Sequence, residues 1–278
     1  MDTTYTLITI QPLMKSQDPI IQWDYYKGLI EQKLLHQERT TDFTFITLPE
    51  YAFGNRTSYS EEKLLKLKGE LASFTQEHEC YLIAGSYAHP QDDTWFNRSL
   101  IFEPDGINQY YYDKTHPFNY EKKSGVSPGL NRNVFTINNL KVKLLICSDL
   151  WFPEEIRSLQ NEKIDLILVP AMAVVKNQLL VNYGQTLWHS LALTRSKENV
   201  IPLVVSDWAV QPVRDSYTCG SSCIIDPSVR WQNETEETRS FNKFTTATEG
   251  ALVSIISRKA ILEYQAYRKE VGLLPEEE

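Results

Sequence analysis

A thiol, a carboxylate and an ammonium group stand at comparable places in this chain of 278 residues: Cys147, Glu50 and Lys114 each follow the end of a segment that reads as a strand. An amide carbonyl is a poor electrophile, so a nucleophile acting on it needs a base for its proton and donors for the oxyanion that forms. The thiol suits the first role, the carboxylate the second and the ammonium the third. Pro49, Tyr51 and Phe53 offer the apolar cover that keeps a carboxylate basic. Taken singly, each residue has a plainer reading: free Cys behaves as a small hydrophobe, and a charge at a strand end is usually solvated. The combination is what points to acyl chemistry.

The elements that must position these residues alternate. Tyr5 to Ile10 reads as a strand, and Asp18-Pro19 opens a helix that runs to about His36. Phe43 to Leu48 is a second strand delivering Glu50, Ser60-Glu61-Glu62 starts a second helix, and Tyr81 to Ala84 is a third strand closed by Gly85. Asn97 to Phe102 and Gln109 to Tyr112 read as an antiparallel pair across Pro104-Asp105-Gly106, and the second strand ends at Lys114. Val134 to Ile137 and an Asn138-Asn139 turn lead into Val142 to Ile146, the strand that ends at Cys147. A helix starting around Pro153 would bring its positive end near the sulfur and favour a thiolate. Leu166 to Pro170, Leu203 to Val205, Ser222 to Ile225 and Ala251 to Ile256 read as further strands. Thr186 to Asn199 reads as a helix with Leu187, Leu191 and Leu193 inward, and Ala260 to Val271 as the last helix. This order predicts an α/β layered fold, a single domain over residues 1–278 with an acidic tail at 274–278. The polar stretch Gln232 to Lys243 reads as a surface loop.

A formal net charge of −8 with no basic run longer than Lys122-Lys123 excludes a nucleic-acid or anionic-membrane surface. Four cysteines are too few for a disulfide framework, and Cys219 and Cys223 lack the further ligands of a zinc site, so no metal is expected. No leader pattern opens the sequence, and its longest apolar stretch, Leu166 to Val175, is broken by Pro170, which makes the cytoplasm the expected location.

Four stretches, TLPEYAF, YYDKTHPFNYEKKSGVSPG, LLICSDLWFPE and LWHSLALTRSKENVIPLVVSDWA, resemble in order and spacing the nitrilase superfamily of carbon-nitrogen hydrolases. The resemblance implies a four-layer α-β-β-α sandwich, with Glu50 as general base and acid, Lys114 as oxyanion donor and Cys147 as nucleophile. It implies that Glu121 orients Lys114 and the substrate, that the backbone N–H of Ser148 is a second oxyanion donor, and that no cofactor is required. Substrate contacts are expected from Tyr51, His116 and Trp151. Cys147-Ser148-Asp149 looks like the amidase and carbamoylase branches rather than true nitrilases. Leu150 and Trp151 stand where branches with carboxylate-bearing substrates place Arg, which implies a neutral, aromatic or cationic acyl group. Trp151-Phe152-Pro153-Glu154 is similar to the carbamoylputrescine amidases. Within Thr194 to Asn199, the pair Arg195 and Glu198 is expected to be structural. The implied partner is a small amide, carbamoyl or nitrile substrate, and the implied assembly a homodimer or larger homo-oligomer. Acyl transfer and a non-catalytic scaffold on the same fold are the alternatives.

Overall fold

Strand β1 (Thr4–Gln11) is buried over most of its length, and alternate residues face different layers. Tyr5 and Leu7 join a core with Phe45, Leu144 and Leu168, whereas Ile8 and Ile10 join a second core with Trp23, Leu71 and Phe74. One strand therefore defines two interfaces, sheet against sheet on one face and sheet against helix on the other. The computed structural model describes residues 3–34, 41–54, 60–130, 133–157, 163–228 and 243–274.

Helix α1 (Pro19–Leu34) starts as its sequence predicts, with Asp18 Oδ1 accepting from Ile20 N at 2.9 Å and Pro19 in the first turn. The predicted extension to His36 lies outside the described residues. Next come β2 (Phe43–Thr47), α2 (Glu61–His78) capped by Ser60, β3 (Tyr81–Ile83), β4 (Tyr87–Gln91), β5 (Thr94–Phe102), β6 (Asn108–Asp113) and the short α3 (Asn119–Lys123). Strands β7 (Val134–Ile137) and β8 (Leu140–Leu144) form the predicted hairpin, followed by a 3-10 turn, Cys147–Trp151, and α4 (Glu154–Arg157). The remainder is β9 (Leu166–Pro170), β10 (Val174–Val175), α5 (Val181–Asn199), β11 (Leu203–Ser206), β12 (Pro212–Val213), β13 (Ser216–Thr218), β14 (Cys223–Ile225), β15 (Lys243–Phe244), β16 (Gly250–Ser257) and α6 (Arg258–Glu270).

The first sheet has the order β16-β1-β2-β3-β5-β4, with β6 also paired to β5; the second has the order β15-β14-β11-β9-β8-β7. Their inner faces meet, Thr9 Oγ1 donating to Val205 O and Ser206 Oγ to Ile10 O, while α1 and α2 cover the first sheet and α5 the second. This is the α-β-β-α sandwich. Strand directions place the site. β1, β2 and β3 are parallel, β5 is antiparallel to β3 and β6 antiparallel to β5, so β2 and β6 end at the same edge. β8, β9 and β11 are likewise parallel and share an edge in the second sheet. Glu50 and Lys114 therefore leave one sheet where Cys147 leaves the other.

Two local expectations change. Helix α5 begins at Val181 rather than Thr186, and its buried stripe is Val181, Gly184, Trp188, Ala192 and Ser196. Small residues at i, i+4 spacing let the helix lie close to its sheet, with Leu187, Leu191 and Leu193 only half-buried at the margins. The cysteine strand runs first into a 3-10 turn, which separates Cys147 from the α-helical start at Glu154 that the sequence predicts. The stretch Gln232 to Lys243, apart from Lys243, and tail residues 275–278 lie outside the described residues. No helix among the described residues is long and apolar enough to cross a membrane.

Candidate active site

Glu50 lies just past the end of β2, where the chain turns sharply through Tyr51 at φ 54°. Its backbone is tied across to the second sheet, past β9 and β11: Glu50 N donates to Ala171 O at 3.1 Å, and Trp208 Nε1 donates to Glu50 O at 2.8 Å. The carboxylate is thereby held at the seam, with 3% of the residue exposed. Burial raises its pKa and the neighbouring Glu121 raises it further, while Lys114 draws it back; the net displacement is upward. A carboxyl raised in this way suits proton exchange nearer neutrality.

Lys114, 1% exposed, donates from Nζ to Glu50 Oε1 and to Glu121 Oε2, both at 2.6 Å. Burial alone would lower its pKa, but the charges of Glu50, Glu121 and Asp149 outweigh burial and the ammonium is stabilised. An ammonium has three N–H donors, so one remains for a substrate oxygen. Burial would raise the Glu121 carboxyl, yet the Lys114 charge and hydrogen bonds from Lys114, Tyr51 and the Phe118 N–H hold it below its ordinary value. Asn97 Nδ2 joins the two carboxylates, donating to Glu50 Oε1 at 2.8 Å and to Glu121 Oε1 at 2.7 Å.

The loop behind the lysine fits only with glycine at one point. Gly129 N donates to Lys114 O at 2.8 Å, and a Cβ on Gly129 would stand 2.1 Å from Asp113 O. Gly129→Ala must push this loop away from Lys114. The expected result is a loss of about 1–3 kcal/mol of stability with lowered turnover, read by denaturant unfolding and by kcat. Wild-type values for both would mean that the approach is not needed.

Cys147 opens the 3-10 turn at φ 46°, a left-handed conformation that a non-glycine residue seldom adopts. Asp149 holds the turn: its Oδ2 accepts from Ile146 N at 2.9 Å and from Tyr112 OH at 2.8 Å, and its Oδ1 accepts from His116 N at 2.8 Å. Ser148 Oγ donates to His116 O at 2.6 Å, so the cysteine turn and the lysine loop clasp each other. The sulfur, 3.7 Å from Met172 O, is almost enclosed. Burial and then the Glu50 charge raise the thiol pKa well above its ordinary value. The resting group is thus a thiol, which corrects the expectation of a thiolate: desolvation outweighs any favourable field. Ser148 N–H, at the start of the turn, belongs to the donors that a helix-like turn cannot satisfy internally.

The structure brings Glu50, Lys114, Glu121 and Cys147 together. Tyr51 reaches the cluster as a donor to Glu121 Oε1 at 2.7 Å. His116 is turned toward Glu155, 2.9 Å from its Oε1, and stacks on Phe152 at a centroid distance of 3.8 Å. Trp151 is exposed and meets Trp188 of α5 edge-on, and Arg195 ties α5 to the same turn through Leu150 O and Trp151 O. Sequence reasoning missed Asn97, Asp149, Asp207 and Trp208. Asp207 braces the rim, accepting from Ala173 N at 3.0 Å and Ser221 N at 2.8 Å, and burial pushes its carboxyl up to about 7 against these hydrogen bonds. The available signal was position: Asn97 opens a predicted strand, and Asp207 stands two residues past the end of another. Among the described residues no group of three or more His, Cys, Asp and Glu could hold a metal ion.

An enclosed thiol facing a buried carboxylate and ammonium, at the shared edge of two packed sheets, defines the class of protein. Residues 16–240 match the carbon-nitrogen hydrolase family, and the chain belongs to that family, within the nitrilase superfamily. It is 26% identical over 212 residues to an omega-amidase of Xenopus laevis, covering 70% of this chain and 73% of that protein. It is 29% identical over 219 residues to a nitrilase of Pyrococcus abyssi, covering 74% and 78% of the two chains. The solved structure of Saccharomyces cerevisiae Nit3, a member of branch 10 of the nitrilase superfamily, shares the fold with a TM-score of 0.76 at 19% identity, over 99% of this chain and 96% of that one.

Proposed function

We propose that the chain hydrolyses the carbon–nitrogen bond of a small carboxamide or N-carbamoyl amine through a thioester on Cys147. The observation that carries this reading is the buried cluster itself: Lys114 Nζ lies 2.6 Å from each of two carboxylates, and the Cys147 thiol is close enough to feel the charge of Glu50 and of Lys114. Sγ attacks the substrate carbonyl carbon while its proton passes to Glu50. The oxyanion takes the third N–H of Lys114 and the N–H of Ser148. On collapse, Glu50 returns the proton to the leaving nitrogen, the C–N bond breaks and ammonia or an amine departs. Water then attacks the thioester, giving a proton to Glu50; the C–S bond breaks, the acid is released and the thiol is restored. Glu121 has donors on both oxygens, so its role is to hold Lys114 and its charge in place.

An amide is ranked above a nitrile because the cluster supplies oxyanion donors and a proton for a departing amine. The acyl group is taken to be neutral or cationic: Leu150 is buried and Trp151 supplies no charge where a guanidinium would hold a carboxylate. The test is ammonia release from matched primary amides, N-carbamoyl amines and nitriles whose acyl groups are neutral, cationic or carboxylate-bearing. Amide or carbamoyl turnover that favours neutral or cationic acyl groups is expected. Preference for nitriles, or for acids bearing a distal carboxylate, would contradict the assignment.

A further inference from the structure

We propose that Asn97 is a positioning residue that decides which oxygen of Glu50 receives the cysteine proton. The inference rests on Glu50 being the base. A primary amide has two N–H groups in one plane, diverging from a single nitrogen. In Asn97 one donates to Glu50 Oε1 at 2.8 Å and the other to Glu121 Oε1 at 2.7 Å. Lys114 Nζ also donates to Glu50 Oε1, at 2.6 Å. Both fixed donors therefore occupy one oxygen of Glu50, leaving Oε2 to receive the Cys147 proton. Glu121 is treated differently: Tyr51 and Asn97 donate to Oε1, Lys114 and the Phe118 N–H to Oε2, and neither oxygen is left for chemistry. Two glutamates of the same chemistry are made unequal by the donors around them.

The same residue also places the ammonium, since Lys114 N donates to Asn97 O at 2.9 Å. Asn97 is 1% exposed, and its Oδ1 is buried without a hydrogen-bond partner among the described residues. An unpaired buried acceptor is destabilising, so packing alone gives no reason for an amide here. A neutral double donor meets the electrostatic need: Asp would add a third negative charge beside Glu50 and Glu121, and a cation would compete with Lys114 for both. Hydrogen bonds to an ionised carboxylate favour that form, so losing the Asn97 donor must raise the Glu50 pKa. The charged and titratable groups facing Glu50 are Lys114, Glu121 and Cys147, with Asp149 acting on Lys114.

The test reads Cys147 directly and needs no substrate. Iodoacetamide alkylation of the Cys147 peptide is followed by mass spectrometry from about pH 5 to 9 in wild type, Glu50→Gln, Asn97→Leu and Asn97→Ser. Wild type is expected to show an acid limb that Glu50→Gln lacks. Asn97→Leu should move that limb up by about 1–2 pH units and slow alkylation roughly tenfold or more below it, with Asn97→Ser, which retains one donor, in between. Near-UV circular dichroism establishes folding, and the serine variant carries the test if the leucine variant does not fold. A Glu50-dependent limb left unmoved in the folded Asn97 variants overturns this proposal alone. A limb that survives in Glu50→Gln overturns the base assignment and the proposal with it.

Discussion

Lys114→Met is expected to lose turnover and stability together. The lysine is the cation lying between Glu50 and Glu121, and a methionine of similar length leaves two buried carboxylates facing each other. Breaking a buried ion pair from one side destabilises by about 3–5 kcal/mol because the remaining charge is uncompensated. The pH dependence has a definite sign. In wild type the Glu121 pKa is held low, so its contribution is present above the unfolded carboxylate pKa and is lost as pH falls through the folded value. In the variant both carboxyls are raised by burial and mutual repulsion. Their penalty is absent below the unfolded pKa and grows as pH rises through the raised folded values. The deficit in unfolding free energy is therefore largest at neutral pH and shrinks toward acid pH. Loss of one oxyanion donor by itself slows the reaction by roughly 100- to 1,000-fold. Thermal unfolding across pH together with kcat checks both halves. A variant as stable as wild type at neutral pH would show that the two carboxylates are not both ionised in the native state.

Glu50→Gln is expected to separate chemistry from folding. The amide is isosteric, its Oε1 still accepts from Lys114 and Asn97, and the backbone bonds to Ala171 and Trp208 do not involve the side chain. What disappears is the group that exchanges protons with the thiol, the leaving nitrogen and the attacking water. General acid–base catalysis contributes roughly 100- to 10,000-fold, and here one residue serves both half-reactions, so the loss in kcat should lie toward the upper end. KM should change little, since the lost interaction belongs to the transition state. The acid limb of kcat/KM, set in wild type by a carboxyl raised above its ordinary value, should vanish with it. Turnover within tenfold of wild type would assign the base elsewhere.

Much of this was legible in the residues themselves. Asp18-Pro19 and Ser60 announced their helices through capping chemistry, and the apolar runs around Phe45, Leu144 and Leu168 announced strands, because these signals are local. Glu50, Lys114 and Cys147 stood out because each terminates such a run. Asn97 and Asp149 did not. Apart from the Ile146 N–H that meets Asp149, their partners are contributed by other parts of the chain, and nothing local says that an amide will bridge two glutamates or that a carboxylate will collect three donors. The protonation state of Cys147 was misjudged for the same reason: sequence shows a turn and a following helix, whereas the thiol responds to the burial that both sheets impose. Helix α5 misled through its leucines, since periodicity identifies an apolar face but does not say that Gly184, Ala192 and Ser196 will form the contact stripe.

Intact-protein mass spectrometry during turnover tests the covalent step most directly. Wild type and Cys147→Ala are quenched in acid after mixing with the amides and carbamoyl amines that release ammonia or amine. The expected result is an added mass equal to the acyl group on wild type, mapped to the Cys147 peptide and discharged by water with time, with no adduct and no release from Cys147→Ala. Continued release from Cys147→Ala, or an acyl adduct mapped to another residue, would contradict the thioester mechanism.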